Sequence, residues 1–287
     1  MKYLIFVLFL FPVLLSSQTI KIEGIDPNYK PSKTKKIILD TCKAEIIYKR
    51  TIVLSRDSSN MVYGKQHRMT LQVGNKISKF LDETHLTSDS LIDALIDQGV
   101  GLNEILGKIQ NTKVRDNKDN LYINHPTGKI TTCTFMLGSY VYEEDMPTIK
   151  WTLHNETANK LGYSCKKATC KLFGREYEVW YTNEIPISSG PWKLNGLPGL
   201  IVYVVDSKKE VYFECVSVKY PKHPIPIYIT EESRNTIRMS KKQFLKLEKD
   251  YLKNPGSFLG LSGATPVGNL PPQATQERKK FFIELEE

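Results

Sequence analysis

"LGYSCKKATCKLFGREYEVWYTNEIPISSGPWKLNGLPGLIVYVVDSKKEVYFECVSVKY" (residues 161–220) decides the fold. Four runs rich in β-branched and aromatic residues stand out: "LGYSCKKATCKLF", "EYEVWYTNEI", "GLIVYVVD" and "EVYFECVSVKY". Such runs suit half-buried strands, whose pleated surface packs branched and aromatic side chains well. The breaks at Gly174-Arg175 and at Ser207-Lys208-Lys209 are too short for a crossover helix. Successive strands must therefore run antiparallel. The third break ends in Leu197-Pro198-Gly199-Leu200. Pro198 presets φ at the second position of a type II turn, and Gly199 would supply the positive φ of the third. Gly196 is expected to admit a neighbouring backbone, and Leu200-Ile201-Val202 to enter a buried strand.

The pattern extends upstream. "AEIIYKRTIVL", beginning at Ala44, reads as a long strand. "HRMTLQV" and "KISKFLDE" follow, with Gly74-Asn75 expected as a two-residue hairpin turn. Leu91, Ile92, Leu95 and Ile96, then Leu102, Ile105, Leu106 and Ile109, recur at helical spacing around Gly99 and Gly101. Two short helices covering the sheet are expected, the first capped by Ser88 or Ser90. "NLYINH" and "GKITTCTFM" flank a turn at His125-Pro126-Thr127-Gly128, and "GSYVYEE" and "IKWTLHN" continue the strands. Ser240 and Gln243 form a capping-box pattern ahead of Phe244, Leu245, Leu247, Tyr251 and Leu252, and Asn254-Pro255-Gly256 stops that helix. The fold class expected is α+β, predominantly antiparallel β. It is a meandering curved sheet, up to an open half-barrel, partly covered by short helices.

The ends divide the chain. Residues 1–17 read as a signal peptide: Lys2 precedes an apolar run, 3–15, that falls short of the roughly 20 residues a spanning helix needs. Residues 18–35 form a polar arm whose lysine cluster, 32–36, reads as a solvated tail. A single β-rich domain fills 36–255, a Gly/Pro-rich flexible loop 256–276, and a C-terminal segment 277–287 ends in "FFIELEE", able to dock as a final strand. The protein is expected to be exported, to the periplasm or the extracellular side of the cell envelope, with no transmembrane segment after signal removal. The formal charge of +9 favours anionic surfaces. Export and the scattered lysines argue against nucleic acid.

The chemistry-bearing residues are sparse. Cys42, Cys133, Cys165, Cys170 and Cys215 are an odd number, so at least one thiol stays unpaired within the chain. Cys165 and Cys170 lie five apart in one strand, about 16 Å at 3.3 Å per residue, too far for a mutual disulfide. The histidines show no metal-ligand spacing, and no nucleophile elbow, zinc-protease or phosphate-loop motif occurs. No catalytic residue, metal ligand or cofactor is assigned. Tyr163, Phe173, Tyr177, Trp180, Tyr181, Trp192 and Tyr203 crowd one stretch, mostly as core and cross-strand pairs. The binding candidates among them and their charged neighbours are Arg175, Tyr181, Trp192 and Lys193. Trp192, in a loop, is expected to be exposed.

The same stretch resembles the GLPGLI family of exported bacterial proteins. Gly196, Leu197, Pro198, Gly199, Leu200 and Ile201 complete its motif. Gly162, Tyr163 and Cys165 are similar to its Gly-Tyr-x-Cys block, and Gly174-Arg175 to its turn. Trp180-Tyr181-Thr182 and Gly190-Pro191-Trp192-Lys193 match two further segments, and "IELE" near the C-terminus resembles the ending of many members. Cys170 is less typical. The resemblance implies an exported antiparallel β protein and no particular activity. The leading expectation is a non-enzymatic binder of a lipid or peptide in a sheet groove. The alternative is a protein–protein module for envelope assembly or transport machinery, using a strand edge or a Trp192-centred patch. A hydrolase is the third reading, and would show as a His and a carboxylate converging with a Ser or Cys.

Overall fold

The computed structural model describes residues 29–56, 62–110, 119–136, 138–231, 236–255 and Glu284. The expected signal peptide and the 256–276 loop lie outside the described residues, as does the C-terminal segment apart from Glu284. The chain forms β1 (Lys36–Cys42), β2 (Ala44–Arg56), β3 (Val62–Val73), β4 (Ser78–Asp82), α1 (Glu83–Asp97) and α2 (Leu102–Gln110). Then come β5 (Asn120–Ile123), β6 (Lys129–Phe135), β7 (Ser139–Asp145), β8 (Thr152–Lys160), β9 (Tyr163–Leu172) and β10 (Arg175–Thr182). Last are β11 (Leu200–Asp206), β12 (Val211–Lys219), β13 (Ile225–Thr230), β14 (Ile237–Arg238) and α3 (Lys241–Lys253).

Twelve strands make one sheet in the order β14-β7-β6-β5-β4-β3-β2-β12-β11-β10-β9-β8, and β1 pairs with β13 in a separate ribbon. Pairing is antiparallel except where β14 runs parallel to β7. Two meanders, β2 to β7 and β8 to β12, meet where β12 pairs with β2. The sheet is open and predominantly antiparallel, with three helices. Strands β7 and β8 are neighbours in sequence but lie near opposite ends of the order. Flat, they would stand roughly 48 Å apart, at about 4.8 Å per strand. The link 146–151 can span at most about 25 Å. The sheet must therefore curl, and its inner face becomes the core.

That inner face is filled by its own side chains. Tyr48, Met69, Phe80, Tyr177 and Phe213 are almost completely buried there. The Phe80 and Phe213 rings meet edge to face at 6.2 Å, and the Tyr48 hydroxyl donates to the Ile201 carbonyl oxygen at 2.7 Å. α1 lies along β3 and β4, and α2 packs on α1 through Leu95, Ile105 and Ile109.

Local chemistry explains the hairpins and corrects several expectations. Leu161-Gly162 and Phe173-Gly174 both take positive φ, as two-residue hairpin loops require. The β9–β10 turn is thus Phe173-Gly174, and Arg175 already belongs to β10. Gly74 and Asn75 are not a positive-φ pair. Residues 74–77 instead wrap the Asp40 carboxylate, which accepts from the Asn75 amide (2.8 Å) and the Lys76 (2.7 Å) and Ile77 (3.1 Å) backbone N–H groups. The α1 cap is Asp82, not Ser88 or Ser90; it accepts from the Thr84 N–H at 3.0 Å, and Ser88 is buried within the helix. The capping box of Ser240 and Gln243 is present on α3. The lysine cluster 32–36 is exposed, as a solvated arm would be, but it is also tethered. Lys33 pairs with Asp97 at 2.6 Å, Lys36 with Asp93, and the Tyr29 carbonyl accepts from the Leu102 N–H at 3.0 Å, strapping the arm to the helices.

Candidate functional site

The 183–199 loop, between β10 and β11, holds most of the residues that the sequence singles out. Its glycines exchange their expected roles. The Gly199 N–H donates to the Leu197 carbonyl at 2.8 Å, closing a three-residue turn about Pro198 rather than a type II turn. Gly199 has φ 159°, close to extended, whereas a type II turn needs about +80°. It is Gly196 that takes a left-handed φ of 91°. Gly199 is instead the site of close approach: a Cβ there would stand 2.0 Å from the Thr182 carbonyl oxygen. A Cβ on Gly190 would meet the Ile201 side chain at 2.8 Å.

All four binding candidates are buried: Arg175 is 5% exposed, Tyr181 3%, Trp192 6% and Lys193 3%. The expectation of an exposed Trp192 is therefore overturned. Its indole packs against Phe173 (centroids 5.6 Å) and Tyr177 (6.3 Å), so the loop folds onto the sheet instead of projecting. Tyr181 lies in the main core, opposite Lys166 of β9. Arg175 donates to Asp206 at 2.8 Å and Glu210 at 2.9 Å. Asp206 in turn accepts from the Glu210 and Val211 N–H groups at 2.7 and 2.8 Å, so one carboxylate ties Arg175 to the β11–β12 turn. The Tyr177 hydroxyl beneath Trp192 is buried with no hydrogen-bond partner among the described residues.

Trp192 and Lys193 are brought together with charged residues that were not among the binding candidates. The Lys193 ammonium lies 2.5 Å from Glu144 of β7, beside Glu284, and 5.0 Å from the Phe173 ring centroid. Lys241, the first residue of α3, reaches the same two carboxylates and sits 4.6 Å from the Phe173 centroid. Burial alone would lower the Lys241 pKa, but the bonds from Glu144 and Glu284 outweigh it and raise it. No local pattern joins these four charges; only the coiling of the sheet does.

Two further polar sites were also hidden from sequence. Lys79 is 2% exposed, donates to the Tyr228 carbonyl at 3.1 Å, and faces the Tyr228 and Tyr122 rings at 4.3 and 5.2 Å. Burial lowers its pKa to about 8. His67 and Asp82 approach to 3.6 Å. Asp82, however, already caps α1 and accepts from the Thr84 hydroxyl at 2.8 Å, which gives the pair a structural task. The five cysteines are free thiols. Burial raises Cys42 and Cys215 to about 11 and Cys170 to about 12, so these three stay protonated and poorly nucleophilic. Among the described residues no group of His, Cys, Asp and Glu side chains is arranged to hold a metal ion, and no helix is long and apolar enough to cross a membrane.

The opposite face of the second meander is less covered. Trp180 and Tyr203 are paired across β10 and β11, both half-buried. Lys160 of β8 stands 5.7 Å from the Trp180 ring centroid and 4.7 Å from that of Tyr203. Lys167 bridges Glu156 (2.9 Å) and Glu178 (3.2 Å) beside them. Among the described residues β8 is the last strand of the sheet and pairs with β9 alone. It is exposed along most of its length, with Leu153 at 59%.

Against known proteins, residues 102–241 match the family described as N-glycanase peptide, N-terminal domain, of PNGase F-II. Two crystal forms of PNGF-II are similar in structure. The P21 form aligns with TM-score 0.47 at 18% identity over 73% of this chain and 33% of that one; for the C2 form the values are 0.46, 18%, 73% and 32%. The chain thus spans about a third of the length of the solved proteins it matches. No curated protein matches it.

Proposed function

We propose that the protein is an exported, non-catalytic binding protein of the GLPGLI type that takes an extended polypeptide at the β8 edge and the adjoining Trp180–Tyr203 face. The observation that carries this reading is the coincidence, among the described residues, of an open strand edge with the half-buried Trp180–Tyr203 pair on the less covered face. An edge strand offers unpaired N–H and C=O groups to an added strand. The neighbouring rings and the charges of Lys160, Glu178 and Lys167 supply side-chain recognition. The packed inner face, where Tyr48, Phe80 and Phe213 fill the space, supports the outer side of the sheet over an inner groove as the binding surface. The leader-like residues 1–17 support export. The match of 102–241 to the N-terminal domain of an N-glycanase supports a glycosylated polypeptide as the ligand. Buried, protonated thiols and a structurally committed Asp82 argue for binding rather than hydrolysis.

Calorimetric titration with a defined glycopeptide pool, and with the same pool enzymatically deglycosylated, tests this. Wild type should bind the glycosylated pool, and Trp180→Ala should weaken binding at least tenfold while remaining folded at the assay temperature. Binding by Trp180→Ala equal to wild type would remove the site, and no binding of either pool by wild type would remove the function.

A further inference from the structure

We infer that Lys193 and Lys241 form a carboxylate-binding site that the chain's own C-terminal segment fills in cis through Glu284. The site lies in a different part of the fold from the β8 edge and does not depend on the function proposed for it. Three remote elements build it: the 183–199 loop brings Lys193, β7 brings Glu144, and the first turn of α3 brings Lys241. Each carboxylate bridges both ammonium groups. Glu144 Oε1 meets Lys193 at 2.5 Å and Oε2 meets Lys241 at 2.8 Å; Glu284 engages Lys193 with Oε1 and Lys241 with Oε2. The four charges close a ring over the Phe173 face, with the Trp192 ring centroid 5.5 Å from Lys193.

The charge balance identifies the ligand. Among the described residues, the body of the domain sets two ammonium groups against one carboxylate, and with Glu284 in place the Lys193 side chain is 3% exposed and Glu144 10%. Two cations facing one anion leave a net positive charge, so this site favours one more anion. The two ammonium groups are already spaced to be bridged by one carboxylate, as Glu144 shows. They sit on aromatic rings, which favour cations but offer no anion. Glu284 meets the demand from 91 residues beyond Lys193 in the chain, the two joined by side-chain charge. A segment held in this way is exchangeable in principle, because the same residues presented on a separate peptide satisfy the same lysines.

The test uses a chain ending at residue 276 and a labelled peptide of residues 277–287, ERKKFFIELEE. The shortened chain should bind the peptide, the full chain at least tenfold more weakly because its site is occupied, and the peptide carrying Glu284→Gln at least tenfold more weakly than the unmodified one. Equal binding of the two peptides, equal binding by the two chains, or no binding by a folded shortened chain would overturn the proposal. Should the shortened chain not fold, the full chain decides. An amine-reactive acylating reagent read by peptide mass spectrometry should spare Lys193 and Lys241 in wild type and label both in Glu284→Gln. Unchanged labelling would overturn the proposal.

Discussion

Gly199 lies so close to Thr182 that a Cβ on the glycine would stand 2.0 Å from the Thr182 carbonyl oxygen and 2.7 Å from its carbonyl carbon. The obstacle is backbone, so no side-chain rotation relieves it. Gly199→Ala should therefore cost at least about 3 kcal/mol, the upper end for overpacking. Gly196 has the opposite profile: its φ of 91° strains any L residue, but the nearest atom to a Cβ there is Trp151 Nε1 at 3.6 Å. Gly196→Ala should cost only about 1–2 kcal/mol, the left-handed penalty. Thermal unfolding of both variants checks the order. A Gly196 variant less stable than the Gly199 variant would reverse the assignment.

Arg175 and Asp206 form a buried ion pair, with side chains 4% and 1% exposed. Removing one partner should be worse than removing both. Asp206→Ala leaves Arg175 with Glu210 and also strips the Glu210 and Val211 N–H groups of their acceptor. A loss of about 3–5 kcal/mol is expected, the range for breaking one side of a buried pair. Arg175→Met combined with Asp206→Ala should lose less than the sum of the two single variants. Denaturant unfolding of the four proteins gives the coupling, and strict additivity would show that the pair does not act as one unit.

Much of the sheet is legible in the sequence because its signals are local. β9 to β12 announce themselves by composition, the β9–β10 and β11–β12 breaks are only a few residues long, and Gly162 and Gly174 mark turns that need positive φ. The α3 capping box works the same way, since its bonds run between residues three apart. What failed depends on distance in sequence. Trp192 is a loop residue whose burial comes from Phe173 and Tyr177, and Lys193 is covered by charges from β7, α3 and position 284. The Gly74 loop is shaped by Asp40 from another strand, so its Gly-Asn pair misleads. Gly196 and Gly199 were told apart only by Thr182, which crosses beneath one of them.

Tyr177 is a second test of the site's packing. Its hydroxyl is buried without a partner among the described residues, and burial holds its pKa far above the usual tyrosine value. An unsatisfied buried hydroxyl costs desolvation that nothing returns. Tyr177→Phe keeps the ring against Trp192 and removes only that group. The variant should be neutral or more stable by up to about 1 kcal/mol. A loss of more than about 1 kcal/mol would mean that the hydroxyl is hydrogen-bonded in solution.

Lys79 should make stability rise on the alkaline side of neutrality. Burial lowers its folded pKa to about 8 from 10.5. Between those values the unfolded chain binds more protons than the folded one, so the stability contribution of this group increases with pH. Below about 8 the ammonium is buried and charged, held by the Tyr228 carbonyl and two aromatic rings with the Asp89 charge nearby, and burial still outweighs these. The gain from pH 7 to pH 10 is at most about 3 kcal/mol, at 1.36 kcal/mol per pKa unit. Tyrosines and thiols also titrate in that window, so the decisive comparison is with Lys79→Met, which keeps the length and removes the charge. At pH 7 the variant should be at least as stable as wild type, because replacing a buried charge by an apolar group of similar volume removes the desolvation cost. Its advantage should shrink steadily as pH rises towards 10. Parallel pH curves for the two proteins would show that Lys79 titrates normally in the folded state.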